Sequence, residues 1–219
     1  MLQLTSLLHQ IKENPNYFLG KPSITCLDSF LRGYLMARTD MGLQQIGLDL
    51  REFHTWIKER LEMKTSQSWL AMILFDSGNE RSGFYRFFDL FAEFQSEKRL
   101  EAADYNDSRN QIWDEDFYDF LKSIRRRPAM YLGTSSITRL YMLLKGYDYA
   151  RREAGVTLTD QEQDFLQFQE WVQARFDIHS PQSWDKIILF HSIDEQEALK
   201  DFFELLDEFL SRKLQEATS

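Results

Sequence analysis

Four histidines, one cysteine and 35 carboxylates are the side chains of this 219-residue chain with the chemistry for catalysis or metal binding. His9, His54, His179 and His191 stand at no spacing that would put two imidazoles on one helical face. None belongs to a His-Glu-x-x-His pattern, which gives a metal two nitrogen ligands beside a general base. Cys26 has no neighbour in sequence that would lower its thiol pKa, and it reads as an inert small apolar residue. Paired acids for glycoside chemistry need a defined carboxyl separation, which spacing alone does not supply. Asp160, Glu162, Asp164 and Glu170 lie early in a helical segment, where the helix dipole and solvation account for them. There is no GxxxxGK[ST] loop and no GxGxxG turn. The chain therefore reads as non-enzymatic, with no metal and no cofactor.

Composition bounds the remaining classes. Apolar residues make up 43% and aromatics 15%, with 18 Phe and only 4 Pro, which is a folded, aromatic-rich mixture. The longest apolar runs, such as Trp69 to Phe75, fall far short of the roughly 20 residues that span a bilayer. The opening MLQLTSLLHQIKENP has neither a basic leader nor a small-residue cleavage site, so no signal peptide is expected. One cysteine fits a reducing compartment, and a cytoplasmic location is the expectation. Residues 1–100 carry 12 Lys/Arg against 12 Asp/Glu, whereas residues 101–219 carry 14 against 23, so the whole net charge of −9 lies in the second part. Such a field repels nucleic acid and anionic membrane and attracts a basic protein surface. Solubility alone would also account for it.

The elements that must position these groups are written twice. Leu8, Ile11, Pro15, Leu19, Gly20, Ser23, Ile24, Thr25 and Leu27 recur 113 residues later as Leu121, Ile124, Pro128, Leu132, Gly133, Ser136, Ile137, Thr138 and Leu140. With Leu31, Gly33, Tyr34, Ala37 and Arg38 this makes 14 identities over positions 7–38. After a two-residue insertion the offset becomes 115 and 18 identities follow over positions 51–98, among them Phe53, Trp56, Arg60, Gln67 to Trp69 and Ile73 to Phe75. The expectation is an all-α chain of two tandem homologous domains, residues 1–98 and 116–219, joined by an acidic connector at 99–115.

Periodicity predicts about five helices per copy. The first stops at Pro15 or Pro128, followed by a Leu-Gly turn, and Ser23 or Ser136 caps the second. Gly33 and Gly146 inside the second helix suggest close helix contact there. Thr159 and Glu162 have capping-box spacing at the start of the third helix of the second copy. The fourth element, Trp69 to Phe75 or Trp184 to Phe190, reads as a short helix or a strand, with Ser180 and Pro181 at its start in the second copy. Ser77 with Glu80, and Ser192 with Glu195, look like capping boxes opening the last helix, whose Phe stripe is core. The connector reads as an exposed loop or an extension of the preceding helix.

Two stretches resemble known families. Arg127 to Gly133, RPAMYLG, is similar to a segment of gyrase-type ATPases, but the acidic ATP-binding helix and DxGxG loop of that family are missing. Asn14 to Gly20 in the first copy points to a shared helix stop and turn instead. Arg125, Arg126 and Arg127 complement a helix C-terminus and are available to pair with the acidic connector. More of the chain resembles small helical bacterial proteins encoded beside polymorphic toxins and described as immunity proteins. The resemblance is carried by Ile124 to Gly133, Ser136 to Ala150, Trp171 to Phe176, Trp184 to Phe190 and Phe202 to Phe209, with the first copy a diverged second example.

That resemblance implies a non-catalytic protein that binds and occludes a cognate toxin, whose basic surface the acids would steer in. Shared positions are spent on the core, so an interface is expected where the copies differ. The acids nominated are Glu101, Asp104, Asp107, Asp114, Glu115, Asp116, Asp160, Glu162, Asp164 and Glu170. Two other classes stay open: a scaffold or regulator with another protein partner, and an enzyme or small-ligand binder, which a cluster of buried polar residues would favour.

Overall fold

The computed structural model describes residues 4–43, 50–98 and 116–217, and among these the chain forms twelve helices and no strand. The first copy gives α1 (Leu4–Glu13), α2 (Pro15–Leu19), α3 (Ile24–Asp40), α4 (Leu50–Arg60), α5 (Trp69–Ser77) and α6 (Glu80–Lys98). The second gives α7 (Phe117–Arg126), α8 (Pro128–Leu132), α9 (Ile137–Glu153), α10 (Asp160–Arg175), α11 (Trp184–His191) and α12 (Glu195–Ala217). Six helices per copy replace the five expected. The added one is short: Pro15 and Pro128 open five-residue helices that end at Gly20 and Gly133 in the left-handed conformation, φ 75° and 79°. Proline stops the helix before it and starts this one, because the first helical position has no N–H to lose.

Chain contacts divide the protein into two compact units. One comprises Met1–Ile112 with Lys145–Ala154, the other Trp113–Leu144 with Gly155–Ser219. Lys145–Ala154, written in the second copy, thus packs with the first, and units and copies do not coincide over that segment. The expected connector at 99–115 lies outside the described residues.

Each unit is organised by a helix whose start is closed from far along the chain. In the first, Ser23 caps α3, its Oγ accepting the Cys26 N–H at 3.2 Å. That same hydroxyl donates to Glu80 Oε2 at 2.7 Å, while the Thr25 N–H and Oγ1 donate to Glu80 Oε2 and Oε1 at 3.0 and 2.7 Å. In the second unit Ser136, Thr138 and Glu195 repeat all three Glu bonds at 2.7, 3.0 and 2.7 Å. Glu80 and Glu195 are therefore not capping-box partners of Ser77 and Ser192. The helices they begin are capped by Asn79, which accepts the Ser82 N–H, and Asp194, which accepts the N–H groups of Gln196 and Glu197. A carboxylate placed on the orphan N–H groups of another helix meets its dipole as well as its donors. Burial alone would raise the Glu80 carboxyl pKa, but the bonds from Ser23 and Thr25, with Lys21 nearby, hold it below its ordinary value.

The fourth element of each copy is helical. Ser68 Oγ accepts the Ala71 N–H and caps α5, and α11 starts after Ser183, so Ser180 and Pro181 lie before the helix rather than opening it. Thr159 and Glu162 do form the expected capping box.

Behind these starts lies one aromatic frame, used twice. Phe53 touches Phe87 and Phe94 with centroids 5.4 Å away in each case, and Phe168 touches Phe202 and Phe209 at 5.6 and 5.5 Å. Trp56 and Trp171 stack on the same two Phe rings. Arg60 to Glu93 and Arg175 to Glu208 repeat as ion pairs on the outside. The copies differ in where they bury an acid: Asp28 on α3, paired with Arg32, in the first; Asp185 on α11 in the second, where the first has Leu70. Asp185 lies close enough to Tyr141, the counterpart of Asp28, to raise its hydroxyl pKa after burial has done so.

Within the first unit, Gly146 lies directly on the backbone of α3, and a Cβ there would collide with the Phe30 carbonyl. The close approach expected from the recurring glycine is thus explained at Gly146.

Two expectations follow for stability. Glu80→Ala leaves two α3 donors without an acceptor and is expected to cost about 1–3 kcal/mol at pH 7, read as a lower urea midpoint. The group's depressed pKa makes its contribution full above about pH 4.3 and lost as pH falls through the folded value, so the gap to wild type should close in acid. Equal gaps at pH 7 and pH 3 would contradict this. Gly146→Ala gains up to about 1 kcal/mol in helix propensity, yet the backbone collision should outweigh it, by about 1–3 kcal/mol of net destabilisation in thermal melts.

Candidate protein-binding surface

The ten nominated acids separate into groups with different roles. Glu101, Asp104, Asp107, Asp114 and Glu115 lie outside the described residues. Asp116 and Asp160 sit exposed at the starts of α7 and α10, and these two starts meet: the Tyr118 N–H donates to Gln161 Oε1 at 3.0 Å and Phe117 packs on Phe165. Glu162 is only 8% exposed, with Oε2 accepting both the Thr159 N–H and hydroxyl, so it belongs to the helix cap and not to a surface. Asp164 is engaged by Lys213 at 2.6 Å. Glu170 is exposed, but ten residues beyond Asp160 on a helix it lies about 15 Å away and on another side. The structure thus brings Asp116 and Asp160 to one end of the second unit and leaves Glu170 apart.

The basic run is likewise divided. Arg125 pairs with Asp207 of α12 at 2.8 Å and lies over the Phe203 ring, while Arg126 and Arg127 are exposed. Of the histidines, His54 bonds the Gln67 carbonyl at 2.9 Å, a role that Gln169 takes toward Gln182 in the second copy. His191 stacks on Phe176 with centroids 4.5 Å apart. Cys26 is buried. No group of three or more His, Cys, Asp or Glu that could hold a metal ion occurs among the described residues.

A part-buried polar cluster lies inside the first unit, between α3 and Lys145–Ala154. Tyr34 Oη donates to Glu153 Oε2 at 2.7 Å, and Tyr147 Oη donates to Asp40 Oδ2 at 2.9 Å. These are equivalent residues of the two copies bonded reciprocally. Arg38 lies over the Tyr34 ring and Arg151 over the Tyr147 ring, while Tyr149 packs against Phe18, Phe30 and Tyr34. Burial, then the Glu153 carboxylate, pushes the Tyr34 hydroxyl up to about 12; burial, then Asp40, does the same to Tyr147. Burial also raises Asp40, against the bond from Tyr147 and the charge of Arg151. Each tyrosine hydroxyl is thus spent on one carboxylate oxygen, while Asp40 Oδ1 and Glu153 Oε1 are buried without a hydrogen-bond partner.

The surface also carries residues that identity between the copies places in the core. Phe75 and its counterpart Phe190 are 82% and 81% exposed. Within α5 the buried residues are Trp69, Leu70, Met72 and Ile73, and at 100° per residue Phe75 falls on the opposite side. That signal is present in the spacing, but only once the segment is known to be a helix rather than a strand. Tyr17 and its counterpart Met130 form a second exposed pair.

No protein-family model, curated protein or solved structure matches the chain.

Because both tyrosine pKa values are raised, their hydroxyl bonds support the fold fully below about pH 10, the ordinary tyrosine value, and lose that contribution as pH rises through about 12. Tyr34→Phe and Tyr147→Phe are each expected to lower stability at pH 8 by about 1–3 kcal/mol and to flatten the alkaline loss expected for wild type. Chemical denaturation at pH 8 and pH 11 measures both. A variant that loses stability in alkali as steeply as wild type would refute the assignment.

Proposed function

We propose that the chain is an immunity protein: a non-catalytic inhibitor that binds a cognate bacterial toxin and covers its active site, working in the cytoplasm without nucleic acid or membrane as partner. The observation that carries this reading is the distribution of polar groups. Those the fold gathers together, at the two helix starts and in the Tyr34–Glu153 and Tyr147–Asp40 pairs, are bonded to each other. The uncompensated charge is left on residues 101–219, with Asp116, Asp160 and Glu170 facing solvent. A surface of that sign speeds approach of a basic partner and gives little to a small substrate. The resemblance of Ile124 to Phe209 to toxin-linked proteins supports the same reading, as does the internal duplication, which we take to record two homologous helical domains.

A small-ligand binder is the second reading, and the part-buried tyrosine cluster of the first unit is what favours it. Its hydroxyls are already committed to carboxylates, and on that ground protein binding ranks first.

Co-expression with the toxin domain encoded beside this gene tests the proposal. Host survival and a complex that co-purifies through gel filtration are expected, weakening as salt rises from 50 to 500 mM. Neither protection nor a complex would refute it.

A further inference from the structure

The exposed aromatic shared by both copies has been built into something larger in the second. In the first unit Phe75 projects beside Asp76, which is tied to Arg86 at 3.2 Å, and Gly78 follows two residues on. In the second unit His191 and Ile193 occupy those two positions, and Ile193 is 93% exposed. The His191 ring lies against Phe190, centroids 5.1 Å apart, and stacks on Phe176 from the end of α10. Phe190, His191 and Phe176 thus join ring to ring at the turn between α11 and α12, and Ile193 stands exposed two residues beyond His191. The first unit closes the corresponding turn differently, with Gly78 in the left-handed conformation after α5, whereas α11 ends at Ser192 in extended backbone.

Single exposed apolar residues are ordinary, whereas a contiguous group is the usual mark of a contact surface. The rim says what kind of contact. Asp177, held in the left-handed conformation at φ 54°, follows Phe176, and Asp194 follows Ile193; both carboxylates face solvent. Along the sequence, residues 155–219 carry 14 Asp/Glu against 5 Lys/Arg. A second copy of this chain would bring two such fields together and be repelled. A face with an apolar centre ringed by Lys or Arg matches both the centre and the rim.

We propose that Phe190, Ile193 and the His191–Phe176 stack are the apolar centre of the docking surface for a basic protein face, with Asp177 and Asp194 as its rim. This rests on the toxin-binding reading and names the part of the surface that does the binding. The nominated acids Asp116, Asp160 and Glu170 then serve mainly to speed encounter.

Calorimetric titration of the full chain with the neighbouring toxin domain, inactivated by mutation, separates the outcomes. The double variant Phe190→Ser with Ile193→Ser should keep the wild-type circular dichroism and melting temperature, because both side chains are exposed. Its affinity should fall at least about tenfold, the loss expected when a central contact is removed. A smaller loss with wild-type binding intact overturns the docking surface and leaves the toxin-binding reading standing. Absence of wild-type binding overturns that reading, and with it the partner assigned here. Sedimentation of the chain alone completes the test: a wild-type dimer that the double variant turns into monomer makes a second copy the occupant and overturns the proposal.

Discussion

A single carboxylate at the start of a long helix governs each half of this protein. The first N–H groups of α3 and α9 have no partner within their own helices, and both helix starts are largely buried. A serine cap satisfies one of them. Glu80 and Glu195 accept the N–H one residue earlier and bind the cap hydroxyl itself, so the last helix of each copy is pinned to its longest central one. The Phe stripe of α6 and α12 can then meet Phe53 and Phe168 in only one register. Loss of that bond would leave the aromatic frame in place chemically but without the element that fixes how it closes.

What the sequence discloses follows how local each cause is. The Ser23 cap, the Thr159–Glu162 box and the stop at Pro15 depend on residues within four positions, and each appears where spacing places it. The last helix of each copy was legible as a stripe but misread at its start. Ser77 and Glu80 do stand three apart, yet the glutamate finds better donors 55 and 57 residues back, and Asn79 takes the cap. Tertiary donors won over a local pattern that was only permissive. The five-residue helices at Pro15 and Pro128 were lost because a helix that short has no periodicity to read.

The surface was legible only in part, for a different reason. Counting charge located the imbalance but could not tell an exposed carboxylate from one spent internally. Glu162 and Asp164 are separated from Asp160 and Glu170 only by partners, Thr159 and Lys213, that the fold supplies. The same limit hid Phe75 and Phe190. Identity between copies was taken to mean core, yet a residue kept in both copies and exposed in both units fits that rule poorly, and the second copy has added neighbours to it.

The buried acids bear on how such a gene can change. Direct repeats in a gene invite recombination between them. A hybrid joining α3 of the first copy to α11 of the second would set Asp28 and Asp185 side by side in the core, two charges where each parent holds one. The reciprocal hybrid would have Tyr141 facing Leu70 and no carboxylate at all. Because the acid sits on different helices in the two copies, exchange between them would carry a folding penalty. The two copies are therefore not interchangeable helix by helix, because the buried carboxylate sits on α3 in one and on α11 in the other.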